Sequence, residues 1–80
     1  MATVDVLLPQ WGMGMNEGTI TKWLKSPGDH VAEDEPLAKV EAEKSTETLE
    51  SPGAGTLSEI LVREGEAVPV RSVIAIIETN

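Results

Sequence analysis

The stretch GTITKWLKSPGDHVAEDEPLAKVE, residues 18–41, aligns without a gap on GTLSEILVREGEAVPVRSVIAIIE, residues 55–78. Self-similarity at one fixed spacing indicates two copies of one structural plan. Each copy reads as a strand, a turn at Gly-Asp or Gly-Glu, a short strand centred on valine, and another strand. The identical pairs are Gly18/Gly55, Thr19/Thr56, Leu24/Leu61, Gly28/Gly65, Val31/Val68, Ala38/Ala75 and Glu41/Glu78.

Strand-like runs extend beyond the repeat to both sides. They are short, rich in β-branched residues and separated by glycine and proline, and no long segment has a helical period. The sequence therefore predicts an all-β domain. The longer predicted strands are Thr3–Leu8, Thr19–Leu24, Leu37–Glu43, Thr46–Glu50, Thr56–Val62 and Val73–Glu78.

One copy of the repeat is too small to bury its own apolar face. Two copies packed face to face can do so, which predicts a sandwich or flattened barrel with a pseudo-twofold axis. The residues expected in its core are Ile20, Leu24, Val31, Val40, Leu49, Leu57, Leu61, Val68 and Ile77.

The composition limits the possible functions. A chain of 80 residues with a net charge of −8 makes one small domain and is a poor partner for nucleic acid or an anionic membrane. Cysteine is absent, so neither disulfides nor thiolate metal sites are available. No signal peptide and no membrane span is visible, and we expect a monomer in a bacterial cytoplasm or a mitochondrial matrix.

The segment VEAEKSTETLES, residues 40–51, places one lysine, Lys44, among glutamates. The two strands predicted around it leave only Lys44 and Ser45 between them, which is the spacing of a tight hairpin. A two-residue loop exposes its side chains to water, so Lys44 is a candidate for modification.

The motifs M-N-E-G-T-I, W-L, G-D-x-V, E-x-E-K-S-T and S-P-G-A-G resemble those of lipoyl domains in the E2 acyltransferases of 2-oxoacid dehydrogenase complexes. The opening LPQWGMGMNEG is similar to the acetoin dehydrogenase branch. The resemblance covers essentially the whole chain. It implies a flattened barrel of two four-stranded antiparallel sheets, with the modified lysine at a hairpin tip.

The resemblance implies a carrier domain without catalytic residues. Lipoate on Lys44, as N6-lipoyl-lysine, would pass acyl groups and reducing equivalents between active sites. The partners implied are the thiamine-diphosphate-dependent E1, the E2 catalytic core, the dihydrolipoyl dehydrogenase E3, and a lipoate ligase or lipoyl transferase. Residues 1–80 would form one domain, cut from the N-terminus of a longer acyltransferase.

Residues near Lys44 are expected to guide recognition. Glu41, Glu43 and Glu47 form a predicted acidic collar, which either steers partners or is an ordinary solvated surface that discourages edge pairing. The family usually has Asp-Lys-Ala at the tip, where this chain has Glu43, Lys44 and Ser45, and the position of Glu47 is commonly apolar.

The loop from Pro9 to Gly18 is the second candidate recognition element. Its family equivalent lies beside the modified lysine and contributes to recognition by E1. Trp11, Met13 and Met15 either present adaptable apolar surface there or fold back into the core. Trp23, in a predicted strand, is expected to pack.

Alternatives to a lipoyl carrier remain. A biotin carrier shares the fold and the hairpin lysine, although that family usually flanks the lysine with methionines. A cofactor-free interaction module is a third possibility. His30 and Asp34 match an H-x-x-x-D acyltransfer motif only weakly, so His30 is expected to be a turn residue. As the only histidine, it leaves no candidate metal site or triad.

Overall fold

A computed structural model describes residues 2–42 and 45–79 of the chain. These residues form strands and connecting turns, in chain order β1 Ala2–Leu7, β2 Glu17–Trp23, β3 His30–Val31, β4 Pro36–Ala42, β5 Ser45–Glu50, β6 Gly55–Ile60, β7 Ala67–Pro69 and β8 Val73–Thr79.

The strands form two four-stranded sheets, and every pairing is antiparallel. Sheet A has the order β1-β8-β6-β3 and sheet B has the order β5-β4-β2-β7. One apolar cluster contains side chains from both sheets, such as Ile20 and Val40 of sheet B and Leu57 and Ile77 of sheet A. The predicted all-β architecture with two four-stranded sheets is confirmed, and the longer predicted strands are found with their ends displaced by one or two residues.

The sequence repeat is visible in the sheet topology. Strands β2, β3 and β4 of the first copy correspond to β6, β7 and β8 of the second, and each copy gives its short strand to the sheet of the other. Thus β3 pairs with β6, and β7 pairs with β2. The two copies cannot be separated without leaving both sheets incomplete.

Backbone hydrogen bonds join the two copies at equivalent positions of the repeat. The Gly28 amide donates to the Leu57 carbonyl at 2.7 Å, and the Gly65 amide donates to the Ile20 carbonyl at 2.6 Å. Gly28 and Gly65 have φ of 97° and 91°, a left-handed conformation that favours glycine. The identity of these two positions in the repeat therefore has a backbone cause.

Gly18 and Gly55 are a second pair of equivalent positions in the repeat, and both are glycine for a steric reason. A methyl group on Gly18 would stand 2.9 Å from Val40 Cγ1, and one on Gly55 would stand 2.8 Å from Ile77 Cγ2 and meet the Glu78 carbonyl oxygen. Each glycine begins its repeat copy at a point where neighbouring atoms occupy the space of a Cβ. No larger residue fits either position without a shift.

Two of the residues predicted in the core are exposed. Leu24 is 38% exposed and Leu61 is 48% exposed, and the prediction was wrong because it assumed unbroken alternation along β2 and β6. Each strand carries a β-bulge, at Thr21 and Ser58, which inserts one residue and reverses which side chains face the core. The bulges turn Trp23 and Ile60 towards the core in place of the leucines.

The remaining core predictions hold except at the edge strand β7, where Val68 is only half-buried. Strand β8 also departs from strict alternation, because the adjacent Ile74 and Ala75 are both buried where the register of β1 against β8 shifts. The buried apolar residues outside the prediction are Val6, Leu8, Met15, Leu37, Ala38, Ala42, Val62, Ile74 and Ala75. Among the described residues, no helix is long and apolar enough to cross a membrane.

An ion pair fastens the turn between β3 and β4 to the end of β2. The Glu35 carboxylate lies 2.6 Å from Lys25 Nζ, and its other oxygen accepts a hydrogen bond from the Ala32 amide at 2.8 Å. The hydrogen bond from Lys25, and then that from Ala32, lower the pKa of Glu35 below its usual value of 4.5. The same pairing raises the pKa of Lys25 above 10.5.

The lowered pKa of Glu35 makes the stability of the domain depend on pH. The folded chain keeps this carboxylate ionised at a pH where the unfolded chain protonates it. Its stabilisation is therefore present near pH 7 and is lost as the pH falls from 4.5 through the lowered pKa of Glu35. We expect Glu35→Gln to lower the urea midpoint at pH 7, and we expect this deficit to disappear as the pH is lowered through the pKa of Glu35. Glu33→Gln, at an exposed site, is the control. A Glu35→Gln deficit that persists in acid would contradict this prediction.

The crowding at Gly55 predicts a stability effect. We expect Gly55→Ala to lower the free energy of unfolding by about 1–3 kcal/mol, because the added methyl has to displace backbone rather than a flexible side chain. Gly53→Ala is the matched control, since no atom lies within 4 Å of its new methyl, and it should change stability by no more than about 0.5 kcal/mol. Urea denaturation measures both, and equal effects would show the packing at Gly55 to be looser than described.

Candidate functional site

The hairpin between β4 and β5 stands at one end of sheet B. The two strands pair continuously from Ala38–Leu49 to Ala42–Ser45, and the connection comprises positions 43 and 44. Ser45 is therefore the first residue of β5 and not part of the loop. The strand begins one residue earlier than predicted. The predictions for Glu43 and Lys44 concern positions outside the described residues.

The predicted acidic collar divides between two faces of sheet B. Glu41 pairs with Thr46 and is exposed, whereas Glu47 pairs with the buried Val40 and so lies on the core side, half-buried. The Ser45 hydroxyl donates a hydrogen bond to the Glu47 carboxylate at 3.0 Å. A charge on the inner side of an edge strand opposes pairing with another chain, which is one of the roles considered for these glutamates.

The loop between β1 and β2 reaches the same end of sheet B. Thr19 of β2 pairs with Glu41 of β4, so Glu17, where β2 begins, lies beside the end of β4. Glu17 also pairs with Pro69 of β7. We call this edge of sheet B, where Ala42, Ser45 and Glu17 lie, the hairpin end. The sequence prediction missed Glu17, because only the register of β2 against β4 reveals its position.

A β-turn shapes the tip of the β1–β2 loop. The Met15 amide donates to the Gly12 carbonyl at 3.2 Å, and Gly14, at the third position of the turn, has a φ of 85°. This is the pattern of a type II turn, which needs glycine at that position. The side-chain amide of Gln10 donates to the Met15 carbonyl at 3.1 Å and ties the turn to the start of the loop.

The three apolar residues of this loop have different environments. Met13 is 100% exposed, Met15 is 3% exposed, and Trp11 is partly buried against the core cluster. Of the two alternatives predicted for each residue, Met15 and Trp11 fold back and only Met13 presents its whole side chain. Met15 is thereby removed from the expected contact surface, because its terminal methyl packs over Gly18.

Trp23 packs as predicted and also connects the two repeat copies. Its indole Nε1 donates to the Val62 carbonyl at 2.9 Å, and its backbone amide donates to the Glu64 carboxylate at 2.8 Å. These bonds tie the end of β2 to the segment that follows β6. Trp23 therefore has a structural role at the end opposite the hairpin end.

The two residues of the weak H-x-x-x-D match lie in different elements. His30 begins β3 and pairs with Thr56, so it is a strand residue and not the turn residue expected. Asp34 is in a turn with φ of 66°, as is its repeat equivalent Arg71 with φ of 69°, and aspartate tolerates this conformation better than most residues. Residues 2–42 and 45–79 contain no cluster of three or more side chains suited to a metal ion.

Comparison with known proteins identifies the family and agrees with the fold. The biotin/lipoyl family model, described as biotin-requiring enzyme, matches residues 4–77. The chain belongs to the biotin/lipoyl attachment family. Within this family the domain is a non-catalytic carrier.

Curated relatives of this attachment domain are acyltransferase components. It is 49% identical over 74 residues to the dihydrolipoyllysine-residue acetyltransferase component of the pyruvate dehydrogenase complex of Corynebacterium glutamicum, over 92% of this chain and 11% of that protein. It is 38% identical over 79 residues to the probable mitochondrial succinyltransferase component of the 2-oxoglutarate dehydrogenase complex of Schizosaccharomyces pombe, over 99% of this chain and 18% of that protein.

An acetoin-type relative and a solved structure complete the comparison. The domain is 31% identical to the acetyltransferase component of the acetoin cleaving system of Cupriavidus necator, over 92% of this chain and 20% of that protein. The solution structure of the lipoyl domain of the Azotobacter vinelandii 2-oxoglutarate dehydrogenase complex matches with a TM-score of 0.77 and 25% identity, over 95% of this chain and 96% of that one. The attachment domain thus spans a tenth to a fifth of these curated relatives and nearly all of the solved lipoyl domain.

The opposite environments of the two loop methionines predict opposite stability effects in the attachment domain. We expect Met15→Ala to lower the free energy of unfolding by about 2–5 kcal/mol, because it leaves a cavity in the core. Met13→Ala, the matched control, should change it by no more than about 0.5 kcal/mol. Thermal and urea unfolding check both values, and a stable Met15→Ala variant would place Met15 outside the core.

Proposed function

We propose that Lys44 carries lipoate in amide linkage and that the domain works as a swinging-arm carrier. The observation that supports this most directly is the hairpin itself: β4 and β5 remain paired up to Ala42 and Ser45. The sequence leaves only Glu43 and Lys44 to connect them. A connection this short between paired strands carries its side chains outward, where a modifying enzyme can reach them.

The described residues supply a firm base for the arm. Ala42, the last residue of β4, is buried, and Val40 beside it is in the core, so one side of the hairpin is anchored to the apolar cluster. On the other strand, the Ser45 hydroxyl donates a hydrogen bond to the Glu47 carboxylate at the start of β5. The base therefore stays in place while an attached group moves.

Amide formation requires a free amine. A lysine amine is protonated at neutral pH, because its usual pKa is about 10.4. The modifying enzyme therefore has to accept the proton before the nitrogen attacks the activated carboxyl carbon of lipoate. The product carries no charge at the former amine.

In the proposed cycle the chain contributes presentation and no bond-making groups of its own. The bound group, when present, supplies a disulfide that accepts an acyl group and electrons. The E1 component would load it, the E2 catalytic core would receive the acyl group, and E3 would reoxidise the dithiol. Tethering raises the effective concentration of the arm at each of these sites, which replaces diffusion of a free substrate.

We further propose that the domain acts as one unit of a longer acyltransferase chain. The support is that the curated relatives are several times longer and contain the matching region as one part. Their names include pyruvate, 2-oxoglutarate and acetoin systems, and the proposed carrier role is common to all of them. The corresponding compartment is a bacterial cytoplasm or a mitochondrial matrix.

The proposal is tested by modification in vitro. We expect a lipoate ligase with lipoate and ATP to add one lipoyl group to the wild-type domain, located at Lys44 by intact mass and peptide mapping. Lys44→Arg should abolish the adduct, because the guanidinium is a far poorer nucleophile. Lys39→Arg, at an exposed position of β4, is the control and should retain the adduct.

The same experiment separates the alternatives. An adduct that survives Lys44→Arg, or the absence of any adduct in a folded wild-type domain, would overturn the proposal. Incubation with a biotin ligase, biotin and ATP forms the second arm. A biotin adduct in place of the lipoyl adduct would assign the domain to the biotin branch of its family.

A further inference from the structure

The β1–β2 loop holds the Met13 thioether in solvent by its backbone geometry. Met13 is the second residue of the Gly12–Met15 turn, whose third residue, Gly14, is in a left-handed conformation. No atom lies within 4 Å of the place where a methyl group on Gly12 or Gly14 would stand, so neither side of Met13 is shielded. The side chain is wholly exposed.

The same turn buries a second thioether only two residues away. Met15 is 3% exposed, and its terminal methyl carbon lies 3.2 Å from the position of a methyl group on Gly18. The chain has no cysteine, so no protein thiol competes for an oxidant. Two side chains of equal intrinsic reactivity thus differ almost completely in access.

We propose that Met13 is a site of reversible oxidation by hydroperoxides and that this oxidation regulates recognition at the hairpin end. The sulfur lone pair attacks one peroxide oxygen, the O–O bond breaks and an S–O bond forms. Sulfur loses two electrons, and the peroxide leaves as water or an alcohol. An enzyme of the methionine sulfoxide reductase class reverses the step, converting its thiols to a disulfide and releasing the oxygen as water.

The position of Met13 gives this modification a consequence. The loop leads into Glu17, which lies beside the end of β4, so an enzyme that engages the hairpin approaches the loop as well. Methionine offers such an enzyme a flexible apolar contact, and the sulfoxide replaces it with a polar group that resists desolvation. This step rests on the proposed function of Lys44, whereas the selective oxidation of Met13 does not.

The selectivity is tested by treating the folded domain with hydrogen peroxide and following each methionine by peptide mapping. We expect Met13 sulfoxide to form at least about tenfold faster than Met15 sulfoxide, because only the exposed sulfur meets the oxidant. In urea the two rates should converge, which would attribute the difference to folding. Equal rates in the folded domain would overturn the inference.

The consequence is tested with the domain oxidised at Met13 and freed of peroxide before a lipoate ligase, lipoate and ATP are added. We expect kcat/KM for lipoylation to fall by about threefold to tenfold, the effect of one weakened contact, and to recover after treatment with methionine sulfoxide reductase. Met13→Leu, which keeps an apolar side chain without sulfur, should lose the response to peroxide.

The controls separate the two proposals. If the domain with unoxidised Met13 accepts no lipoate, the proposed function and the regulation that rests on it are both overturned. If the domain accepts lipoate at the same rate before and after oxidation of Met13, the regulation alone is overturned. A peroxide effect that persists in Met13→Leu places the sensitive group elsewhere and also overturns the inference.

Discussion

The reciprocal exchange of short strands is the constraint on which the rest of the domain depends. The Gly28 amide binds the Leu57 carbonyl and the Gly65 amide binds the Ile20 carbonyl, so each repeat copy completes the sheet of the other. Neither copy has a closed hydrogen-bonding pattern alone, and the apolar cluster is shared between them. A small domain without disulfides gains from this arrangement a single cooperative unit, in which damage to one copy also opens the second.

The two ends of the domain differ because the chain connects equivalent strand pairs in different ways. The pairing of Ala42 with Ser45 in sheet B is equivalent to the pairing of Thr79 with Ala2 in sheet A. In sheet A this position holds the first and last described residues of the chain, whereas in sheet B the chain continues from β4 to β5. The two copies of a symmetric plan therefore differ at this position: sheet B has the β4–β5 hairpin there, and sheet A has the start of β1 beside the end of β8.

Particular residues show which features of the fold the sequence patterns predict and which they do not. The repeat located the strands, because glycine, proline and β-branched residues act locally on the backbone. Strict alternation placed Leu24 and Leu61 in the core. The bulges at Thr21 and Ser58 reverse which side chains face inward, so both leucines are exposed. A bulge depends on the hydrogen bonds of a neighbouring strand, such as that from the Thr21 hydroxyl to the Lys39 carbonyl, and a single strand does not reveal it. The same limit applies to Glu17, whose place beside the hairpin follows from strand register alone.

The sequence by itself determined the two-copy plan, the all-β class and the candidate Lys44, because these follow from spacing, residue type and motif. Tertiary structure decided which side chains are inside. It buried Met15 and exposed Met13 through one turn, and it divided Glu41 and Glu47 between two faces of one sheet. The physical reason is that residue type sets local backbone preference, whereas burial is a property of the partner surface. That surface is built from segments far apart in the chain.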